Sequence, residues 1–182
     1  MDVSHEQNYL ARIQRGERDV LIDIYDAYFT QLYHFVRLKV GDATVAEDIV
    51  SDVFVRLLEC IGTPQAPHTH LRGWLFRVAR HELYQQLGAN RAVSIEIVEE
   101  TMASPEANPE VQLTGIFEMQ RVQHALNMLA SDHQEVLLMR FGQQLSLQET
   151  AAAMGKSISA IKSLQFRAVS TLRQILTEEQ AS

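Results

Sequence analysis

Cysteine is almost absent from this chain. The single thiol, Cys60, excludes an internal disulfide framework and fits a reducing compartment, so the cytoplasm is the expected location. Flanked by Leu57, Leu58 and Ile61, Cys60 reads as a small core residue. No apolar run reaches the roughly 18 residues that a membrane helix needs, so no membrane insertion is expected. The opening stretch, MDVSHEQNYLARIQRGE, is polar and mixed in charge, unlike a secretory signal. Glycine and proline are scarce inside the periodic segments, and no stretch sustains the apolar–polar alternation of a half-buried strand. The chain also lacks a phosphate-binding glycine loop and a nucleophile motif. Its seven histidines are scattered, and His68 and His70 have no cysteine or carboxylate beside them. Catalysis, metal and cofactor are therefore not expected.

Basic charge is short as well. The net charge is −7, which argues at first against a nucleic-acid partner, because phosphate contacts need Lys and Arg. The distribution qualifies this. Residues 1–62 carry −5, 64–92 carry +3, 93–112 carry −5 with no basic residue, and 113–176 carry +2. Two mildly basic blocks thus flank an acidic strip. Neither promises tight DNA binding alone, so a larger partner would have to supply much of the affinity.

What is there is helical periodicity. Leu21, Ile24, Tyr25, Tyr28, Leu32, Phe35 and Val36 recur at helical spacing after Asp19, an expected N-cap, and Gly41 stops the pattern. Thr44-Val-Ala-Glu47 has the form of a capping box. It precedes Ala46, Val50, Val53, Phe54, Leu57, Leu58 and Ile61, and Gly62 ends that segment. After a loop at Thr63–His70, a third helix is expected at Leu71–Leu87, burying Leu71, Trp74, Leu75 and Val78 and ending at Gly88. Residues 89–112 combine Ser, Asn, two prolines and excess acid, and read as a linker. Helical spacing resumes with Val122, Ala125, Leu126 and Leu129. Ser131-Asp-His-Gln134 and Ser146-Leu-Gln-Glu149 look like two more capping boxes, the first opening a helix with Val136, Leu137 and Phe141. The expected fold is all-α: two small helical domains, 1–88 and 113–176, joined by a flexible acidic linker at 89–112.

Three stretches carry candidate function. In Ser146–Leu172, Met154-Gly-Lys-Ser157 supplies a tight turn between two helices, and Ser157 can cap the second. Leu147, Thr150, Ala151 and Met154 can face inward, as can Ile161, Ala168 and Leu172. Lys162, Ser163, Phe166 and Arg167 are left on the other side, as in a helix-turn-helix that reads the major groove. A plain helical hairpin with a solvated face has the same spacing. In Ala46–Phe54, Glu47, Asp48, Ser51 and Asp52 form an acidic face opposite the apolar stripe, suited to a basic partner or simply to water. In Leu71–Tyr84, Arg77 and Arg80 interleave with Trp74, Phe76 and Tyr84, a pattern that suits unpaired bases and their phosphates. The alternative is a core tryptophan among solvated arginines.

In order and separation, these stretches together resemble a bacterial extracytoplasmic-function (group 4) sigma factor of the sigma-70 superfamily. AEDIVSDVFVRLLE is similar to the region 2.2 helix, LRGWLFRVARHEL to regions 2.3–2.4, and LASDHQEVLLMRFGQQLSLQETAAAMGKSISAIKSLQFRAVSTLR to region 4, with Val20–Val40 as region 2.1. The resemblance implies a transcription initiation factor that binds core RNA polymerase and directs it to promoters. It implies that Glu47, Asp48, Ile49, Ser51 and Asp52 dock on the β′ clamp helices, and that the β flap is a further contact. Trp74, Arg77, Arg80, His81 and Tyr84 would melt and read the −10 element, with Thr63–His70 bordering the pocket for a flipped base. Ser159, Lys162, Ser163, Phe166 and Arg167 would read the −35 element. The acidic linker would lie in the RNA exit path, and an anti-sigma factor is an implied partner. Free protein is then expected to bind promoter DNA poorly, and holoenzyme well. The alternative is a conventional dimeric helix-turn-helix repressor or activator, with residues 1–88 sensing a ligand or dimerising. A helical adaptor that binds only proteins is a third reading.

Overall fold

In the computed structural model, which describes residues 3–88 and 120–180, the chain builds two helical groups. The first contains α1 (Val3–Gln14), α2 (Val20–Val40), α3 (Ala43–Cys60) and α4 (Leu71–Leu87). The second contains α5 (120–127), α6 (Ser131–Leu137), a π-helical turn (Leu138–Gly142), α7 (Leu147–Met154) and α8 (Ile158–Gln180). Among the described residues there is no strand. The expected linker at 89–112 lies outside them.

Local chemistry sets the helix ends. Asp19 stands at the N-cap of α2 but makes no side-chain cap bond; it takes part instead in a cluster on Arg12 with Glu17 and Asp23. The α3 start differs from expectation. Asp42 rather than Thr44 is the cap, and its carboxylate accepts the Val45 N–H at 2.9 Å. A carboxylate at Asp42 caps the helix two positions earlier than the Thr44 hydroxyl could, so the helix starts there. Ser131 does not cap α6 either: the N-cap is Ala130, and the Gln134 amide turns inward to donate to the Leu129 carbonyl at 3.2 Å. The third expected box is present in full. Ser146 Oγ accepts from Glu149 N at 3.1 Å, and Glu149 Oε2 accepts from Ser146 N at 2.6 Å.

Helix α1 was not anticipated, since its apolar residues (Tyr9, Leu10, Ile13) are few. It is held at both ends. Ile13 is fully buried, and its carbonyl accepts the Gly62 N–H at 3.0 Å. There the chain approaches itself so closely that a Cβ on Gly62 would sit 3.1 Å from Gly16 Cα, and Gly62 has φ +76°. At the other end, Glu6 Oε1 accepts the Arg72 N–H at 3.2 Å.

Ile24, Tyr28, Leu32, Phe35 and Val36 of α2, Ile49, Val50, Val53 and Leu57 of α3, and Leu71, Leu75, Phe76, Ala79 and Leu83 of α4 are buried together. Phe35 and Phe76 meet edge-on, with centroids 5.3 Å apart. This core continues into Val136, Met139, Leu145, Ala153, Met154 and Ile161 of the second group as one cluster. The seam between the groups is α7 lying along α4, with the π turn against α2. Cys60 is half-buried beside the core with a free thiol.

Candidate nucleic-acid and polymerase interfaces

The acidic face of α3 follows from helical geometry. Ala46, Ile49, Val50 and Val53 turn into the core, so Glu47, Asp48, Ser51 and Asp52 are all exposed on the opposite side. Ile49 corrects the expectation that it contacts a partner: it is fully buried, because position 49 falls within the apolar stripe. Next to this face, Tyr25, Phe29 and Tyr33 stack along α2 at successive turns, with Tyr25 also against Phe54 at 4.8 Å. Tyr25, whose helical spacing places it with the apolar stripe of α2, is exposed, as is Ile22.

Helix α4 divides its candidates. Arg77 and His81 are exposed. Trp74 and Phe76 are buried in the core, so neither can stack on a base in this conformation; the apolar face of α4 is wider than its aromatic spacing suggested. Arg80 and Tyr84 face the second helical group. Arg80 Nε lies 2.5 Å from Glu135 Oε2, Arg80 Nη2 lies 3.6 Å from Asp132, and the guanidinium stands 5.2 Å from the Tyr84 ring centroid. Tyr84 donates to Glu135 and is 2.9 Å from Ser131 Oγ.

Beneath them is a residue that the motifs did not mark. Lys39, on the apolar stripe of α2, is buried with its Nζ 3.3 Å from Gln134 Oε1 and 4.0 Å from Glu135. Burial holds the Lys39 ammonium below its ordinary range, with Glu135 opposing that shift. Burial works against the Arg80 guanidinium too, but the Glu135 charge and hydrogen bond outweigh it and its pKa is raised. Burial and then the Glu135 hydrogen bond push the Tyr84 phenol up to about 12. The sequence signal for this cluster was a lysine at i+3 and i+4 from two core residues, Val36 and Phe35.

The helix-turn-helix is formed as the spacing required. Gly155 caps α7 in the left-handed region at φ +63°, and Ser157 Oγ accepts the Ala160 N–H at 3.2 Å at the start of α8. Ile161, Leu164 and Ala168 are buried. Ser159, Lys162, Ser163, Phe166 and Arg167 are all exposed on the other side, Phe166 by 76%. Arg140 ties the π turn to this helix by donating to the Leu145 carbonyl and, at 2.9 Å, to Gln165 Oε1. Phe141, expected in the core, is exposed; it lines a shallow apolar hollow with Leu147, Phe166 and Val169. The π turn, which ends in a bond from Gln143 N to the Leu138 carbonyl, rotates it outward.

The chain that carries these faces matches a known class. Residues 24–93 match the model of Sigma-70 region 2, and residues 125–174 match that of Sigma-70, region 4. The ECF RNA polymerase sigma factor BldN of Streptomyces coelicolor is 32% identical over 181 residues, covering 98% of this chain and 68% of that protein. The chain therefore belongs to the extracytoplasmic-function sigma factors of the sigma-70 family, and it is a promoter-directing transcription initiation factor. Two solved structures share the fold. CnrH in complex with the cytosolic domain of CnrY superposes with a TM-score of 0.66 at 22% identity, over 94% of this chain and 97% of that one. The sigma factor RpoE of Bartonella quintana, in complex with the anti-sigma factor NepR, gives 0.57 at 24% identity, over 85% and 97%. Among the described residues, no helix is long and apolar enough to cross a membrane.

Proposed function

We propose that this sigma factor engages core RNA polymerase through Glu47, Asp48, Ser51 and Asp52, reads the −10 strand with Arg77, Arg80, His81 and Tyr84, and reads the −35 element with Ser159, Lys162, Ser163, Phe166 and Arg167. Residues 1–88 act as region 2 and 113–176 as region 4, in the cytoplasm. The observation that carries this reading is the separation of two exposed faces of opposite character. One is the exposed acidic α3 face; the other is the exposed α8 face with Lys162, Arg167 and Phe166. An acidic face suits a basic protein surface and repels DNA. A helix after a tight turn, with cations and one aromatic ring outward, suits the major groove. Since the RpoE structure was solved with the anti-sigma factor NepR, a protein that holds this chain inactive is part of the proposal.

Capture by purified core polymerase tests the division of labour. Asp48→Lys with Asp52→Lys is expected to lose capture. Lys162→Ala with Arg167→Ala is expected to keep capture and lose promoter-directed starts. The rival, a dimeric helix-turn-helix regulator, requires a stable homodimer in sedimentation and indifference to core polymerase.

A further inference from the structure

The loop that leads into α4 is held from outside itself. Its first half makes its own turns: Thr63 N donates to the Cys60 carbonyl at 2.9 Å, and Ala66 N to the Thr63 carbonyl at 3.1 Å. Pro64 and Pro67 bring no N–H to such turns. Beyond them the anchors come from α1. Gln14 Nε2, on the last residue of α1, donates to the Pro67 carbonyl at 2.9 Å. Glu6 Oε1 accepts the Arg72 N–H at 3.2 Å. Arg72 is in the first turn of α4, where N–H groups have no helical partner. The N-cap, His70, makes no side-chain cap bond, so the carboxylate that a local Asp would supply comes from α1 instead. A third tie, from Gly62 N to the Ile13 carbonyl at 3.0 Å, fixes the entry to the loop. One helix thus holds the beginning, the middle and the end of the same connection.

Between the middle and end anchors the backbone is strained. His70 has φ +49°, in the left-handed region that residues with a Cβ rarely take. Such a conformation persists only where its surroundings hold it. Pro67 is buried, while His68, Thr69 and His70 are exposed. His68 is fixed twice. Gln14 grips the peptide group that joins it to Pro67, and its own Nε2 lies 3.3 Å from the Pro64 carbonyl. A carbonyl only accepts, so Nε2 carries the hydrogen and Nδ1 of the neutral ring is left as an acceptor. Ordered polar groups therefore stand at the N-terminal end of the helix that carries Arg77 and His81.

We propose that α1 is a brace that presets residues 63–70 for the −10 strand, and that Gln14 is a positioning residue for base choice there, acting through His68. This rests on the reading of α4 and the loop before it as the −10 surface. A preset loop meets a base without first losing its own freedom, and a wrong base finds groups that do not move to suit it. Gln14 does this without touching DNA.

Transcription by holoenzyme from a promoter library with a randomised −10 element, read by sequencing the transcripts, gives the output for each base at each position. Gln14→Glu keeps the shape of the side chain but sets an acceptor against the Pro67 carbonyl, whereas Gln14→Lys keeps a donor; position 14 is exposed. His68→Ala tests the loop itself. The expected result is one −10 position at which Gln14→Glu and His68→Ala each lower the preference for the best base on the order of tenfold, the cost of one mismatched pair in a site. Gln14→Lys should keep the wild-type preference, and Gln14→Glu combined with His68→Ala should go no further than His68→Ala alone. Hydrogen exchange in the free chain reads the brace without a promoter: the peptide covering residues 66–72 should exchange faster in Gln14→Glu than in wild type or Gln14→Lys. Unchanged exchange overturns the brace. So does a uniform fall in output with the base profile intact, which is what a merely structural role would give. A profile moved by Gln14→Glu but not by His68→Ala overturns the route through His68. The brace and the −10 reading fail separately. If His68→Ala moves the profile and Gln14→Glu does not, the brace falls and the reading stands. If wild type shows no base preference anywhere in the randomised element, the reading falls and base choice by Gln14 falls with it.

Discussion

Arg80 Nε and Glu135 Oε2 lie 2.5 Å apart, although 55 residues separate them in the chain. The pair joins the two helical groups, and Glu135 has no exposure to water. Removing either partner leaves the other charge in place, so the single substitutions are expected to interact. Arg80→Ala and Glu135→Ala, measured singly and together by urea unfolding, should show a coupling of about 0.5–3 kcal/mol. Additivity within about 0.3 kcal/mol would mean that the pair adds nothing beyond its surroundings.

The same contact makes a pH prediction. Burial and the hydrogen bond to Glu135 push the Tyr84 phenol up to about 12. A raised folded pKa for a phenol favours the neutral form, so its contribution is complete below pH 10 and lost as pH climbs towards 12. Tyr28, in the core, is pushed up further, by burial first and then by the Glu6 charge. Tyrosinate absorbance should therefore show late-titrating phenols among the five tyrosines. Tyr84→Phe should remove one of them.

Ile49 and its neighbours on α3 separate stability from recognition. Ile49→Ala empties a fully buried site and should cost about 2–5 kcal/mol. Asp48→Lys and Asp52→Lys are surface changes, expected to leave unfolding within about 0.5 kcal/mol of wild type while abolishing polymerase capture. Thermal denaturation and co-purification of each variant distinguish the two effects.

On the recognition helix, Phe166 is 76% exposed and packs little. Phe166→Ala should leave stability unchanged within about 0.5 kcal/mol and still weaken promoter-directed transcription. Leu164→Ala and Ile161→Ala, on the buried side, should act through unfolding instead, which circular dichroism will report.

The residues that repeat with a helical period were the legible ones. The α2 and α4 spans, the Ser146–Glu149 capping box, the Gly155 turn and the outward set on α8 could each be read from spacing. So could the acidic side of α3, since the stripe opposite it is continuous. The starts of α3 and α6 were less legible. Asp42 and Ala130 differ from Thr44 and Ser131 by only a position or two, and which side chain finds a free N–H is settled by backbone geometry. Phe141 misled because a π turn changes the period within a helix. Trp74 is in the core, as its helical spacing gives, and not open to the −10 strand; Phe76 joins it there, because aromatic residues between arginines serve a core as well as a base. Of the Lys39–Glu135–Arg80–Tyr84 cluster, the sequence marked Arg80 and Tyr84 as candidates and placed Lys39 on the apolar stripe of α2, but not their convergence on Glu135, which depends on how α6 docks on α2 and α4.

Run-off transcription with purified core RNA polymerase on fragmented genomic DNA, followed by mapping of the 5′ ends, tests the central claim most directly. The chain should produce a discrete set of start sites that core polymerase alone does not make, sharing one sequence element upstream at −35 and one at −10. A set of starts no different from core polymerase alone would contradict it.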